Sequence, residues 1–287
     1  METEKASRRK LLIAMLIWGS IGVFCRHVSL SSSVIALARA ALGFLSLRVY
    51  RLLRKEETDW TAVRQNIRAL LPAALFLGFN WILLFEAYRY TTVAVATLCY
   101  YMAPVLVILC SPLLGEKLTG RKLLCAAVAV LGMVLVSLSG GESVGGGKGI
   151  LLGLAAALLY ASIILCNKRL KNISGMDRTE FQLLVAALVM AVYTCCTEDV
   201  TALRPTLTET ALLLVLGVVH TGVAYALYFG SMDALPGQTV ALYSYLDPVS
   251  AIFFSALLLR EPLTLRSALG AALVLGATLL SEREEKN

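Results

Sequence analysis

Charge is what this sequence has little of. Only 16% of its 287 residues are Asp, Glu, Lys or Arg, while 58% are hydrophobic, and the mean hydropathy is +0.76. Soluble domains carry about 25% charged and 45–50% apolar residues. A soluble core built from this chain could not hide so much apolar surface, so the excess must face lipid or other lipid-buried helices. Histidine is nearly missing too, with two in the chain, and no CxxC pair occurs. A zinc site is therefore not expected. The seven cysteines (Cys25, Cys99, Cys110, Cys125, Cys166, Cys195 and Cys196) all fall in or at the ends of apolar runs and read as small apolar packing residues. Enzyme signatures are lacking as well: there is no HExxH, no GxSxG and no Ser–His–Asp order that spacing supports. The Gly-rich stretch Gly140–Gly149 misses the P-loop pattern, because Gly147-Lys148 is followed by Gly149 and Glu142 stands where a glycine is needed. The expectation is a protein that is not an enzyme and needs no cofactor.

What is there is a series of apolar runs. Crossing a bilayer takes about 17–25 residues. Ten runs approach that length: roughly 11–28, 32–49, 67–88, 91–113, 120–139, 149–168, 179–197, 209–230, 236–259 and 263–281. The first follows Lys5, Arg8, Arg9 and Lys10, as a signal peptide would. The cleavage-like triplet Ala36-Leu37-Ala38 lies inside the second run, however, so the first run reads as a retained helix.

The net charge of +7 does not point to nucleic acid, because the basic residues sit in short segments between apolar runs rather than in one basic domain. Assigned alternately to the two sides, nineteen of the 26 lysines and arginines fall on the N-terminal side and six opposite, with Arg39 inside the second run. That is the positive-inside bias, with the N-terminus on the cytoplasmic side.

The sequence also repeats itself. Leu98-Cys-Tyr-Tyr-Met-Ala-Pro104-Val, Glu116-Lys-Leu-Thr119 and Leu131-Gly132 return as Leu242-Tyr-Ser-Tyr-Leu-Asp-Pro248-Val, Glu261-Pro-Leu-Thr264 and Leu275-Gly276, roughly 144 residues later. Trp18-Gly-Ser is echoed by Tyr160-Ala-Ser. The expected fold is an all-α membrane protein of ten transmembrane helices, arranged as two five-helix repeats at 1–139 and 149–287 with a Gly-rich linker at 140–148. Five is odd, so the second copy must enter from the opposite side. Inverted repeats are the scaffold of alternating-access transporters.

The motifs also carry a resemblance. Trp18-Gly-Ser, Arg39 followed by Ala-Ala-Leu-Gly, Ala103-Pro104-Val, Gly115-Glu-Lys-Leu-Thr and Arg260-Glu-Pro-Leu-Thr, in this order and duplication, resemble the ten-helix EamA-type branch of the drug/metabolite transporter superfamily over nearly the whole chain. The resemblance implies a basket-shaped bundle in the cell membrane with a central cavity, cytoplasmic termini and movement of small metabolites, often outward. Relatives include amino-acid exporters, while other branches import cations such as choline or move nucleotide sugars.

Candidate functional residues are the polar and aromatic ones at membrane depth. Arg39 costs about 2.5–3.5 kcal/mol at a helix centre, so it must face the interior. It reads either as a clamp for a substrate carboxylate or as a structural ion pair between helices. Asp247, whose repeat counterpart is Ala103, reads as a site for a substrate ammonium or a proton, or as the partner of Arg39. Pro104 and Pro248 each remove a backbone hydrogen bond and are the candidate gating positions. Trp18, Trp81, Tyr101, Tyr160, Tyr225 and Tyr245, with Asn80 and His220, complete the expected substrate-binding set. Glu86 and Arg89 are expected to pair near the outer end, and Tyr50, Tyr88 and Tyr90 to sit in the interfacial belt. Three functions remain: a secondary exporter of small amphipathic metabolites such as amino acids, coupled to substrate or proton gradients; a carrier for organic cations; and a non-transporting scaffold or sensor. The implied partners are a small molecule, the bilayer and candidate coupling protons, with a monomer sufficient because the duplication supplies both halves.

Overall fold

The computed structural model describes residues 2–110, 119–139, 146–232, 235 and 237–284. Motif residues 115–118, linker residues 140–145, Lys117 and Lys286 lie outside this set. All elements among the described residues are helical. In chain order they are α1 (Glu2–Arg26), α2 (Ser32–Arg54), the short α3 (Trp60–Gln65), α4 (Ile67–Tyr90), α5 (Val93–Tyr100), α6 (Ala103–Cys110), α7 (Gly120–Ser139), α8 (Gly146–Asn167) and α9 (Gly175–Thr197). There follow α10 (Leu207–Leu214), a π-helical stretch (Val215–Val223), α11 (Ala224–Met232), α12 (Gly237–Ser244), α13 (Leu246–Leu258) and α14 (Leu265–Glu284).

Among the described residues, six segments are long and apolar enough to cross a membrane: Ser32–Leu53, Ile67–Tyr90, Val93–Cys110, Gly147–Asn167, Gly175–Thr197 and Leu207–Ser231. Three shorter apolar helices are Leu123–Leu135, Leu246–Leu258 and Leu265–Ala277. The ends are set by local chemistry. The Ser174 hydroxyl accepts from the Asp177 N–H and starts α9, and Thr206 and Glu209 form a reciprocal capping box on α10. Lys55 ends α2 in the left-handed region (φ 56°), donating its N–H to the carbonyls of Arg51 and Leu52, a turn that glycine makes at no steric cost.

The apolar runs 91–113 and 236–259 are each interrupted. A proline at position i cannot bond the carbonyl at i−4. Pro104 and Pro248 thus leave the carbonyls of Tyr100 and Ser244 without their helical partner, and α5 and α12 end at those two residues. Tyr101 and Tyr245 occupy the breaks.

Packing is mostly between helices distant in sequence. α1 lies on α11 and α13; α8 lies on α4, α5 and α6; α2 packs on α9 and the π-helical stretch; α4 packs on α9; and α7 packs on α14. Gly19 permits one of the close approaches. A Cβ there would meet the Asp247 carbonyl oxygen at 2.8 Å, so only glycine lets α1 sit directly over the start of α13.

At the basic end of the bundle, Arg51 bridges α2 to α9. Its Nη1 lies 2.7 Å from Asp177 and 2.8 Å from Glu180. Glu180 also accepts from the Thr58 hydroxyl at 2.8 Å and from Arg48 at 3.2 Å. Sequence reading treats these arginines as loop charges, but Arg51 is helical and 4% exposed. At the other end, the Glu261 carboxylate accepts from the Val93 N–H at 2.9 Å and faces Arg26 at 3.6 Å. Glu86 lies 3.7 Å from Arg89, as expected, and accepts from the Ser32 hydroxyl at 2.7 Å. Cys25, Cys99 and Cys125 are buried, whereas Cys195 and Cys196 are exposed on α9 and do not follow the packing reading.

Candidate central cavity

The helices enclose a cavity of about 300 Å³. α1 contributes Trp18 and Gly19, α2 contributes Arg39, and α4 contributes Trp81 and Tyr88. The α5 end and the break after it supply Tyr100 and Tyr101, and α8 supplies Tyr160. The far wall is Tyr225, Tyr228 and Phe229 from α11, with Asp247 from α13 and Arg178 from α9.

The charges are held differently. Asp247 accepts from the Tyr101 hydroxyl at 2.6 Å. Arg39, 5% exposed, donates its Nε to the Thr221 hydroxyl at 3.0 Å and lies over Trp81, 4.3 Å from the ring centroid. No carboxylate lies within ion-pair distance of Arg39 among the described residues. In place of an ion pair, Arg39 has one hydrogen bond, through Nε, and a cation–π contact, and neither Nη has a hydrogen bond among the described residues. Arg39 and Asp247 do not pair, so both signs of charge line one space.

The aromatic residues form two groups. Tyr100 stacks on Tyr160 with centroids 4.8 Å apart, and Trp18 meets Tyr225 edge-on at 5.3 Å. The Trp18 indole N–H donates to the His220 carbonyl at 3.0 Å. A π-helical turn carries an extra residue and leaves carbonyls out of α register. In this stretch the His220 ring nitrogens lie 3.2 Å from the Val215 carbonyl and 2.9 Å from the Ser20 hydroxyl, and the Thr221 hydroxyl donates to the Leu216 carbonyl at 3.0 Å.

Of the expected substrate-binding residues, Trp18, Arg39, Trp81, Tyr101, Tyr160, Tyr225 and Asp247 line the cavity. Asn80, His220 and Tyr245 do not. Asn80 stands behind it, donating to the Ala156 carbonyl at 2.6 Å and accepting from the Tyr100 hydroxyl at 3.3 Å. His220 supports Trp18 through its backbone. Tyr245 caps α13 at the break. Tyr88 is a correction: it is 5% exposed and lines the cavity rather than an interfacial belt, with its hydroxyl turned inward to the Thr97 hydroxyl at 3.5 Å. Sequence reasoning also missed Tyr228, Phe229 and Arg178. The first two continue the face of Tyr225 at i+3 and i+4, a signal helical periodicity carries. Arg178 stands next to Asp177 at the start of α9, where a cation reads as a topology charge.

A second, larger cavity of about 1470 Å³ opens between α2, the π-helical stretch, α11 and the start of α9, towards Lys10, Arg54 and Glu56. Among the described residues no group of three or more His, Cys, Asp or Glu could hold a metal.

The model of the EamA-like transporter family matches the chain at 10–138 and again at 147–282. The chain belongs to the EamA-like transporter family. This EamA-like protein is 28% identical to the uncharacterized transporter YxxF of Bacillus subtilis (strain 168), over 95% of this chain and 88% of that one. It is 26% identical to an uncharacterized transporter of Archaeoglobus fulgidus, over 96% and 95%, and 27% identical to protein PecM of Dickeya dadantii (strain 3937), over 74% and 72%. A solved crystal structure superposes with a TM-score of 0.69 at 18% identity, covering 98% of this chain and 99% of that one, which shows a shared fold. With its apolar helices, this EamA-like protein is a multi-pass membrane transporter of the drug/metabolite transporter superfamily.

Proposed function

We propose that this protein is a secondary exporter of small amphipathic metabolites such as amino acids, working by alternating access around the central cavity. The observation that carries this is the cavity itself: about 300 Å³, at the lower end of ligand-site volumes, lined by rings and by one carboxylate and cations that do not neutralise each other. A zwitterion complements such a space, with its ammonium at Asp247 and its carboxylate at a guanidinium, while Trp18, Trp81, Tyr101, Tyr160 and Tyr225 enclose its side chain.

The machinery for alternation is ten transmembrane helices in two inverted repeats, 1–139 and 149–287, joined by the linker 140–148. Two family-model matches in one chain support it. So does the packing. Exchanging first-half helices for their second-half counterparts turns the α4–α8 contact into α11–α1, α4–α9 into the π-stretch–α2, and α6–α8 into α13–α1, while α2–α9 and α7–α14 map onto themselves. Pro104 and Pro248 act as the gating points, since the helix breaks they impose sit at matching places. Proton coupling, a monomeric state, the cell membrane and cytoplasmic termini complete the reading.

The test is purified protein in liposomes with labelled amino acids and organic amines. Saturable amino-acid flux, lost in Asp247→Asn, is expected. The Tyr101–Asp247 hydrogen bond beside stacked rings favours a second reading, a carrier of organic cations, which predicts amine flux that survives Arg39→Ala. Absence of flux for every compound would leave a scaffold or sensor.

A further inference from the structure

Among the described residues, the central cavity is lined by two cations, Arg39 and Arg178, and one carboxylate, Asp247. Arg39 is anchored, donating its Nε to Thr221 and lying over Trp81. Arg178 has no such anchor among the described residues. The two carboxylates on its own turn, Asp177 and Glu180, are taken by Arg51. The Arg178 guanidinium has no hydrogen bond or ion pair among the described residues, although it is only partly exposed. A half-buried guanidinium without a counter-ion carries a desolvation cost that an incoming anion would relieve.

Its place in the fold is equally particular. Arg178 and Phe229 are the two residues that line both the 300 Å³ cavity and the 1470 Å³ vestibule. Phe229 is pressed onto α9 one turn before Arg178, where a Cβ on Gly175 would come within 2.6 Å of its ring. Phe229 also stacks on Tyr225 at 5.9 Å. One ring and one cation, unpaired among the described residues, therefore stand between the two spaces.

Resting on the transport reading above, we propose that Arg178, rather than the anchored Arg39, is the residue that receives the substrate's carboxylate, at the partition between cavity and vestibule. The specificity consequence is a requirement for an anionic group on the substrate. Phe229 then moves off Gly175 as the anion passes.

Trp18 and Trp81 line the cavity, so tryptophan fluorescence reports occupancy. Acetate, phenylacetate, phenylalanine and phenethylamine are titrated into wild-type protein, Arg178→Gln and Arg178→Lys. Loss of the charged hydrogen bonds should weaken phenylacetate and phenylalanine binding in Arg178→Gln by roughly tenfold or more, with partial recovery in Arg178→Lys and unchanged phenethylamine binding. Wild-type-like phenylacetate binding in Arg178→Gln overturns the proposal, and so does equal loss of amine and carboxylate, which marks a structural role. Wild-type protein that binds no carboxylate probe also overturns it. Liposome flux separates the two readings. Wild-type protein that carries the amine but binds no carboxylate leaves transport standing and removes Arg178 from it. Wild-type protein that binds phenylacetate through Arg178 yet carries nothing refutes transport and keeps the anion site.

Discussion

Replacing Arg51 by alanine should cost far more stability than replacing Arg48, although both arginines contact Glu180. The difference follows from burial. The side chains of Arg51, Asp177 and Glu180 are 4%, 9% and 4% exposed, whereas Arg48 is 39% exposed. Removing Arg51 leaves Asp177 out of water without a cation and Glu180 with only the part-exposed Arg48 as cation, and breaking a buried ion pair from one side costs about 3–5 kcal/mol. Removing Arg48 takes away a solvent-screened contact worth about 0–1 kcal/mol, and Glu180 keeps Arg51 and Thr58. For a chain of this size the larger loss corresponds to an apparent Tm lower by on the order of 10 °C, against at most a few degrees for Arg48→Ala. The assay is thermal unfolding of the purified variants in one detergent at one scan rate. The triple variant Arg51→Leu, Asp177→Leu, Glu180→Leu should recover most of the loss, since a well-packed apolar replacement of a buried charge cluster is often neutral. Equal Tm losses in the two single variants would refute the reasoning, as would a triple variant less stable than Arg51→Ala.

Gly19→Ala should destabilise by about 1–3 kcal/mol, and Ser250→Ala should not rescue it, because the Asp247 carbonyl at 2.8 Å is backbone; apparent Tm of the single and double variants checks this. Tyr101→Phe removes a hydrogen bond to a carboxylate and should raise the KM for ammonium-bearing substrates by about tenfold or more, read in liposome flux. Pro248→Ala returns an N–H to the Ser244 carbonyl and should raise apparent Tm while slowing turnover; faster turnover would count against a gating role. In the loop after α9, the Thr201 hydroxyl and the N–H groups of Thr201 and Ala202 donate to Asp199 and hold its carboxyl below the usual aspartate range. Its folded value is depressed, so the turn is supported at neutral pH and loosens as pH falls through that lowered value; amide exchange at Thr201 and Ala202 should rise there in wild type and at all pH values in Asp199→Ala.

Much of the architecture is legible in the sequence because lipid imposes one demand, a continuous apolar stretch with every backbone group satisfied within it. The ranges 120–139 and 67–88 nearly reproduce α7 and α4 for that reason. The breaks before Pro104 and Pro248 are legible too, since the missing N–H acts at a fixed spacing. The π-helical stretch is not. Its extra residue rotates the chain without altering composition, and 209–230 reads as one uniform run. Helix starts are misjudged where charge is tolerated: α1 begins at Glu2 rather than near Leu11, because the Arg8–Glu4 pair at 2.8 Å sustains an exposed helical turn. Around the cavity, residue type finds Asp247 and Trp18, whose polar atoms are costly in lipid. It misses Arg178 and Tyr88, which sit near run ends where polar residues are ordinary, and only the packing of α4, α9 and α11 turns them inward.

The contacts of α1 set a timetable for biosynthesis. This helix leaves the ribosome well before α11 and α13, on which it mainly packs. About 200 residues separate Arg26 from Ala224, the first residue of α11. At roughly 5–20 residues per second, α1 waits on the order of 10–40 s in the bilayer before its partners exist. During that interval Trp18 and Gly19 face lipid or an insertion chaperone instead of protein. Truncation after α9 should leave α1 only its smaller contact with α4 and expose it to membrane proteases, and supplying residues 198–287 as a separate chain should protect it.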